Sequence, residues 1–404
     1  MATATLGNVE ALSFLKARSE VLARVRAARI TPQVEILPLE QAGGRVLAEP
    51  AFADRDYPPE PRSMRDGFAV RAADLPGTFT IVGEVRAGQP VNCRVEPGEA
   101  VEIMTGASVP DGADTVVMIE HVTVNGDQVE IPKALEMGAN VNPQGRDAMA
   151  GALILNPGTR LGYAEIALLA SIGQAEVSVY KRPRVAILAT GDELVELEAE
   201  PEPHQIRNSN SWSLAAQVMR AGGEAVILPV AADELETTKS LIAEGLECDL
   251  LLLSGGVSAG KYDLVETALQ SFGAQMHFDR VLIQPGQPCV FGQARGTFFF
   301  GLPGNPASTM VCFEIFARAA LELLGGIVEP ALAVTGARLK APFRQKTGLT
   351  RFLPARLDAE GLLTPVGWSG SGDIAALTRA NVYLVSDPEK PEYAAGEWIG
   401  VMAR

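Results

Sequence analysis

Histidine and cysteine are scarce in this sequence: three His (His121, His204, His277) and four Cys (Cys93, Cys248, Cys289, Cys312) are spread over 404 residues. No two cysteines have CxxC spacing and the histidines lie far apart, so neither a zinc cluster nor a disulfide framework is suggested. Four reduced structural cysteines are expected. Positive charge is also in short supply. With 34 Lys and Arg against 49 Asp and Glu the net charge is −15, the opposite of the basic footprint that nucleic acid demands. No apolar run approaches the roughly 20 residues that span a bilayer. Met1–Gly7 leads into a mixed-charge stretch and not an apolar signal-peptide core, so a soluble cytoplasmic protein is expected. Repeats and low-complexity segments are lacking too. The acidic balance sets one condition: an anionic substrate needs donors or metal ions supplied by its own site.

What is present is ample core material, 47% hydrophobic residues against 21% charged, in a chain too long for one core. Residues 8–30 read as an amphipathic helix with Leu12, Leu15, Leu22 and Val25 on one face, and Leu39–Leu47 as a second short helix. From 51 to 146 the texture turns to short strands punctuated by Gly and Pro. Thr78–Val85 and Val116–Ile119 read as strands, and Asn125-Gly126 between apolar runs predicts a hairpin. Tyr163–Ile172 is helical again, so 1–50 and 147–182 are expected to form one helical and linker domain interrupted by a β-rich lobe.

Between 183 and 328 the chain becomes α/β. Arg184–Ala189, Glu224–Val230, Asp249–Leu253 and Thr297–Phe300 are apolar runs of strand length, with helical stretches at Ser211–Ala221, Leu235–Gly245, Leu264–Ser271 and Ala307–Leu324. Continuous apolar strands alternating with helices predict a parallel sheet covered on both faces. Residues 329–404 read as a C-terminal β domain, with strands at Arg351–Leu357, Leu362–Val366 and Val382–Val385.

In an open parallel sheet, ligands bind at the carboxyl ends of the strands. Four loops fall there: Thr190-Gly191-Asp192-Glu193; Ala231-Ala232-Asp233-Glu234; Ser254-Gly255-Gly256-Val257-Ser258-Ala259-Gly260 followed by Asp263; and Gly301-Leu302-Pro303-Gly304-Asn305-Pro306-Ala307-Ser308. Gly255, Gly256 and Gly260 let backbone N–H groups approach an anion, and a helix start adds partial positive charge. Asp192, Glu193, Asp233 and Asp263 supply carboxylates. Acidic groups beside phosphate-cradling loops are reconciled if Mg²⁺ bridges them. A nucleotide or pyrophosphate site with a divalent metal follows. Each feature has a plainer alternative: the glycines as turn formers, Asp192 and Asp233 as helix N-caps, the prolines as rigid turn elements. Four successive strand ends of this composition exceed what turns alone require.

At these loops the sequence resembles the MoeA family of molybdopterin molybdenumtransferases, to which the C-terminal domain of gephyrin is also similar. The resemblance covers essentially the whole chain. It rests on Ser63-Met64-Arg65-Asp66-Gly67-Phe68-Ala69, Ile103-Met104-Thr105-Gly106-Ala107, Thr190-Gly191-Asp192-Glu193-Leu194, Leu253-Ser254-Gly255-Gly256-Val257-Ser258 and Gly301-Leu302-Pro303-Gly304-Asn305-Pro306, in that order. It implies an elongated four-domain homodimer whose sites combine the α/β domain with other domains and the partner subunit. It implies molybdenum-cofactor biosynthesis, with molybdate inserted into adenylylated molybdopterin and AMP released with divalent-metal help. Transient docking of other enzymes of that biosynthesis is a further expectation.

Carried over by motif, Asp66, Thr105, Glu193, Asp233 and Asp263 are expected to be catalytic, with Glu193, Asp233 and Asp263 as metal ligands. Gly191, Asp192, Ser254, Gly255, Gly256, Ser258, Pro303, Gly304, Asn305, Pro306, Ser308 and, from the C-terminal domain, Ser371 are expected to bind substrate. One segment departs from the family: Gln284-Pro285-Gly286-Gln287-Pro288 stands where many members carry KPGKP. Gln284 and Gln287 donate hydrogen bonds without charge, which weakens oxyanion affinity unless Arg280 or another cation compensates. In the first motif Met64-Arg65 replaces the usual Ala-Met. Two other readings stay open, a non-catalytic scaffold of the gephyrin kind and a metal-dependent nucleotide pyrophosphatase on the same α/β domain.

Overall fold

A computed structural model of the chain describes residues 11–256 and 264–404. Its centre is a six-stranded sheet. Glu224–Ile227, Arg184–Ala189, Leu250–Ser254 and Thr297–Leu302 run parallel in that order, and Val290–Ala294 and Gln275–Phe278 complete one edge antiparallel. The four strands expected to be parallel are so, and two strands not expected are added antiparallel at one edge. The reason is local: Val290–Ala294 joins Thr297–Leu302 through the two-residue turn Arg295-Gly296, with φ of 49° and 89°, and so short a link permits only an antiparallel return.

Leu250, Leu251, Leu252 and Leu253 are all fully buried, and alternation sends them to two separate cores. Leu250 and Leu252 join Ile187 and Phe300 beneath the helices Asn210–Ala221 and 306–324. Leu251 and Leu253 join Leu188 and Phe299 beneath Leu235–Gly245 and Leu264–Ser271. The stretch expected as one helix from Ala307 to Leu324 is helical throughout but opens into a π-turn at Phe313–Ala317.

The first helix, Phe14–Ala27, is capped by Ser13 and buries Phe14, Ala17, Val21 and Val25. The face expected is found only in part: Val25 is buried and Leu12 packs on the same core, but Leu15 is exposed and the Phe14 ring packs between Phe316 at 6.0 Å and Phe352 at 5.1 Å. The expected helix Leu39–Leu47 is a single 3₁₀ turn at Leu39–Gln41. Val46 and Leu47 instead form bridges to Arg160 and Val179.

Both flanks of the lobe are zipped by short antiparallel pairs: Val34–Pro38 with Glu176–Tyr180, and Ala51–Phe52 with Leu153–Leu155. The lobe itself is a six-stranded sheet built around Gly67–Val70, Glu99–Ile103 and Gly77–Val85. Its hairpin pairs Asn125 with Gln128, so the turn falls on Gly126-Asp127, one residue later than the Asn125-Gly126 expected. The C-terminal sheet includes Thr350–Leu357, Leu362–Pro365 and Val382–Val385, and is extended by Ile283–Gln284, which pairs parallel with Thr350 and Arg351. Phe352, Leu377, Tyr383 and Met402 enter the α/β core, so the two bodies share buried surface.

Candidate functional site

The parallel register aligns the carboxyl ends of the four parallel strands, and backbone hydrogen bonds stitch their loops together. Thr190 donates to Ser254 O at 3.1 Å, Gly191 to Ala231 O at 3.2 Å, and Gly255 to Leu302 O at 3.3 Å. The first two loops are further joined by Asp192, whose carboxylate accepts the Asp233 N–H at 2.9 Å. Asp192 thus caps across loops, not at its own helix as the plainer alternative had it. Asp192, Glu193 and Asp233 are all exposed to solvent.

The glycines of the third loop are required by space and by backbone. Gly255 and Gly256 have φ of 91° and 61°. A Cβ on Gly256 would stand 2.7 Å from Thr190 Oγ1 and 2.8 Å from Val265 Cγ2, and one on Gly255 would stand 2.7 Å from Thr190 O. A Cβ on Gly191 would collide with the Glu193 carboxylate at 2.4 Å, so the glycine leaves room for that side chain to fold back.

The fourth loop leads into a helix begun by Pro306, which suits the first helical position, with Asn305 at the N-cap. Thr309 Oγ1 donates to Pro303 O, holding the loop closed over the helix start. Ser308 is buried within the first turn. Ser371 reaches this helix start from the C-terminal body, but through its backbone: its carbonyl accepts the Ala307 N–H at 2.9 Å. Asp373 shapes the same loop by accepting from Ala376 N–H and from Ser369 N–H, which hold its carboxyl below the ordinary range.

The Gln284–Gln287 segment lies beside the same helix. Cys312 Sγ donates to Gly286 O at 3.5 Å, and a Cβ on Gly286 would stand 2.3 Å from that sulfur. Gln284 is exposed and Gln287 half-buried. Arg280, the cation considered as compensation, is exposed, and its backbone carbonyl accepts the Leu12 N–H.

Asp66 and Thr105 form a pair of their own in the lobe. The Asp66 carboxylate accepts from Thr105 N–H at 2.6 Å and from Thr105 Oγ1 at 2.8 Å, and these bonds hold its carboxyl below the ordinary range. Their hydrogen bonds tie them to each other, not to the α/β loops. Ser258 and Asp263 lie outside the described residues, as do Val257, Ala259 and Gly260. Among the described residues, no group of three His, Cys, Asp or Glu is gathered closely enough to hold a metal ion. No helix among them is long and apolar enough to cross a membrane.

Thr190 was read within its loop but given no role, and Asn210 escaped the reading of the sequence altogether. Thr190 packs its backbone and hydroxyl against both loop glycines, and Asn210 donates from its amide to Ser254 Oγ at 2.9 Å and to Gly304 O at 2.7 Å. The only local signal at Asn210 is that of a polar residue opening a helix, which many structural asparagines share.

Comparison with known proteins places this geometry. The MoeA N-terminal region (domain I and II) matches residues 12–173, a probable molybdopterin binding domain matches 186–323, and the MoeA C-terminal region (domain IV) matches 336–403. The molybdopterin molybdenumtransferase of Bacillus subtilis (strain 168) is 34% identical over 385 residues, 92% of this chain and 90% of the relative. That of Nostoc sp. (strain PCC 7120 / SAG 25.82 / UTEX 2576) is 38% identical over 306 residues, 73% and 70% of the two chains. Among solved structures, a molybdopterin biosynthesis MoeA protein from Pyrococcus horikoshii OT3 superposes with a TM-score of 0.81 at 28% identity, covering 98% of this chain and 100% of the other. Three matched regions in order, whole-length relatives and a whole-length structural neighbour agree: the chain belongs to the MoeA family of molybdopterin molybdenumtransferases, proteins of molybdenum-cofactor biosynthesis.

Proposed function

We propose that the chain inserts molybdate into adenylylated molybdopterin, releasing AMP, and that it works as a homodimer. The observation that carries this reading is the convergence of three hydrogen-bonded glycine and carboxylate loops with a helix start at one end of a parallel sheet, in a chain of this family. Backbone N–H groups of the Ser254–Gly256 loop and the first turn at Ser308 donate to the phosphate of the nucleotide-activated pterin and to the oxyanion. Pro303, Gly304, Asn305 and Pro306 form the wall, and Ser371 closes the helix-start side. Gln284 and Gln287 hydrogen-bond molybdate without charge. Asp66, held ionised by Thr105, approaches from the lobe with a contribution from the partner subunit.

Glu193 and Asp233 are exposed oxygen donors of the kind a hydrated divalent cation takes, while the described carboxylates alone gather no three-ligand metal site. Glu193 and Asp233 would hold Mg²⁺ together with Asp263 and substrate oxygens. When bound, the ion would neutralise phosphate charge beside these carboxylates. Asp192, through its bond to the Asp233 N–H, fixes the second loop against the first.

The test is release of AMP from adenylylated molybdopterin with Mg²⁺, with and without molybdate, in wild type, Glu193→Gln and Asp263→Asn. Release that needs molybdate and falls at least about a hundredfold in both variants supports the reading. Release indifferent to the oxyanion would mark a pyrophosphatase instead. No release from a folded dimer at any molybdate or tungstate level refutes catalysis.

A further inference from the structure

Asn210 opens the helix Asn210–Ala221, on the segment that follows the first strand-end loop, yet its side chain serves the third and fourth loops. Its Nδ2 donates one proton to Ser254 Oγ at 2.9 Å and the other to Gly304 O at 2.7 Å. These two loops meet through glycines: a Cβ on Gly304 would stand 3.7 Å from Gly255 Cα. Among the described residues, the Asn210 amide donates to both loops and so bridges this seam.

The bond to Ser254 also has a direction. The amide nitrogen only donates, so Ser254 Oγ must accept there, and its own proton is turned away from Asn210. Reversing the amide is ruled out at the other end, because it would face its oxygen to the Gly304 carbonyl oxygen. Ser254 is 2% exposed and ends the third parallel strand, where the substrate loops converge. Among the described residues, Asn210 Oδ1 is shielded from solvent without a hydrogen-bond partner, which costs free energy.

We infer that Asn210 is a positioning residue: it locks the third and fourth loops in register and fixes the Ser254 hydroxyl as a donor toward bound pterin substrate. The inference rests on the reading of these loops as the substrate site. Asn210→Asp keeps the shape but replaces the donor with an acceptor. It repels the Gly304 carbonyl and turns the Ser254 proton back onto residue 210. Ser254→Ala removes that proton altogether.

The experiment is direct titration of molybdopterin against the folded full-length protein for wild type, Asn210→Asp, Ser254→Ala and the double variant, with thermal melts alongside. Steady-state AMP release is measured on the same four proteins. We expect Asn210→Asp and Ser254→Ala each to weaken binding about tenfold, and the double variant to be little worse than either alone. In turnover the loss is expected in KM more than in kcat. Wild-type binding by Asn210→Asp, or losses that multiply in the double variant, overturns the inference. If Asn210→Asp melts early, Asn210→Gln, which keeps the donor on a longer arm, decides: restored melting without restored binding supports positioning, and restoration of neither refutes it. Wild type that binds the pterin but releases no AMP overturns the proposed reaction and leaves the binding cycle valid. Wild type that binds no pterin overturns both.

Discussion

The α/β body and the inserted lobe are both six-stranded sheets, but they use their sequences in different ways. The central strands of the α/β body are buried on both faces: Val185 to Ala189 and Leu250 to Leu253 are each at most 1% exposed. The lobe strand Gly77–Val85 instead alternates, with Phe79 and Val85 buried and Thr78, Thr80, Val82 and Glu84 open or half open. A sheet covered by helices keeps its strand ends fixed, and it is there that glycines, carboxylates and a helix start gather. The lobe sheet is covered on both faces along Gly67–Val70 but leaves much of Gly77–Val85 open, and its loops are braced by bonds of their own, of which the Asp66–Thr105 pair is an example.

Removing core volume is the strongest way to break that contrast. Phe300→Ala, in a ring stacked 4.8 Å from Phe291, is expected to cost about 3–5 kcal/mol in urea melts, against about 1–2 kcal/mol for Val129→Ala in the lobe. Comparable losses would mean that the two sheets depend equally on packing. Gly256→Ala comes next. Forcing a Cβ onto a residue at φ 61° and into Thr190 and Val265 is expected to cost about 1–3 kcal/mol, with molybdopterin binding weakened in the same protein. A melt and a titration on one sample check both.

The lobe's pair sharpens the comparison more gently. The two bonds from Thr105 depress the Asp66 carboxyl, so the charged form is favoured in the folded state. The stability this supplies is complete above the unfolded value of about 3.9 and is lost as pH falls through the lower folded value. Carboxyl NMR of Asp66 should therefore titrate below the ordinary midpoint, and Thr105→Val should move it upward. An unmoved midpoint would show that Thr105 does not set it. The smallest effect is expected at Arg24→Ala, whose pairing with Glu20 is exposed on the first helix. A change of about 0.3 kcal/mol is expected.

Legibility followed burial. Leu235–Gly245 is found with the boundaries its periodicity predicts, and the helix through Leu264 ends at Ser271 as expected, since each presents one apolar stripe to a sheet. The edge strands Gln275–Phe278 and Val290–Ala294 carry Gln275, His277 and Gln293 and show no continuous apolar run, so only hydrogen bonding to Thr297–Leu302 makes them strands. Leu39–Leu47 has helical composition, but Gly43-Gly44 break it and Val46 and Leu47 find partners across the chain. In the site, the glycine and carboxylate loops were readable because their composition is unusual at strand ends. Asn210 was not, because its role depends on two loops that are 44 and 94 residues away.

By itself, the sequence determined the family, the order of the regions, the fully buried strands and the loops that end them. These follow from local composition and from motif order, which survive without knowledge of neighbours. Only the tertiary structure decided that Asp192 caps the loop of Asp233, that Ser371 meets the helix start through its carbonyl, and that Asn210 spans the seam between two glycine loops. Each is a contact between distant segments, and its energy exists only once the strands have been brought into register.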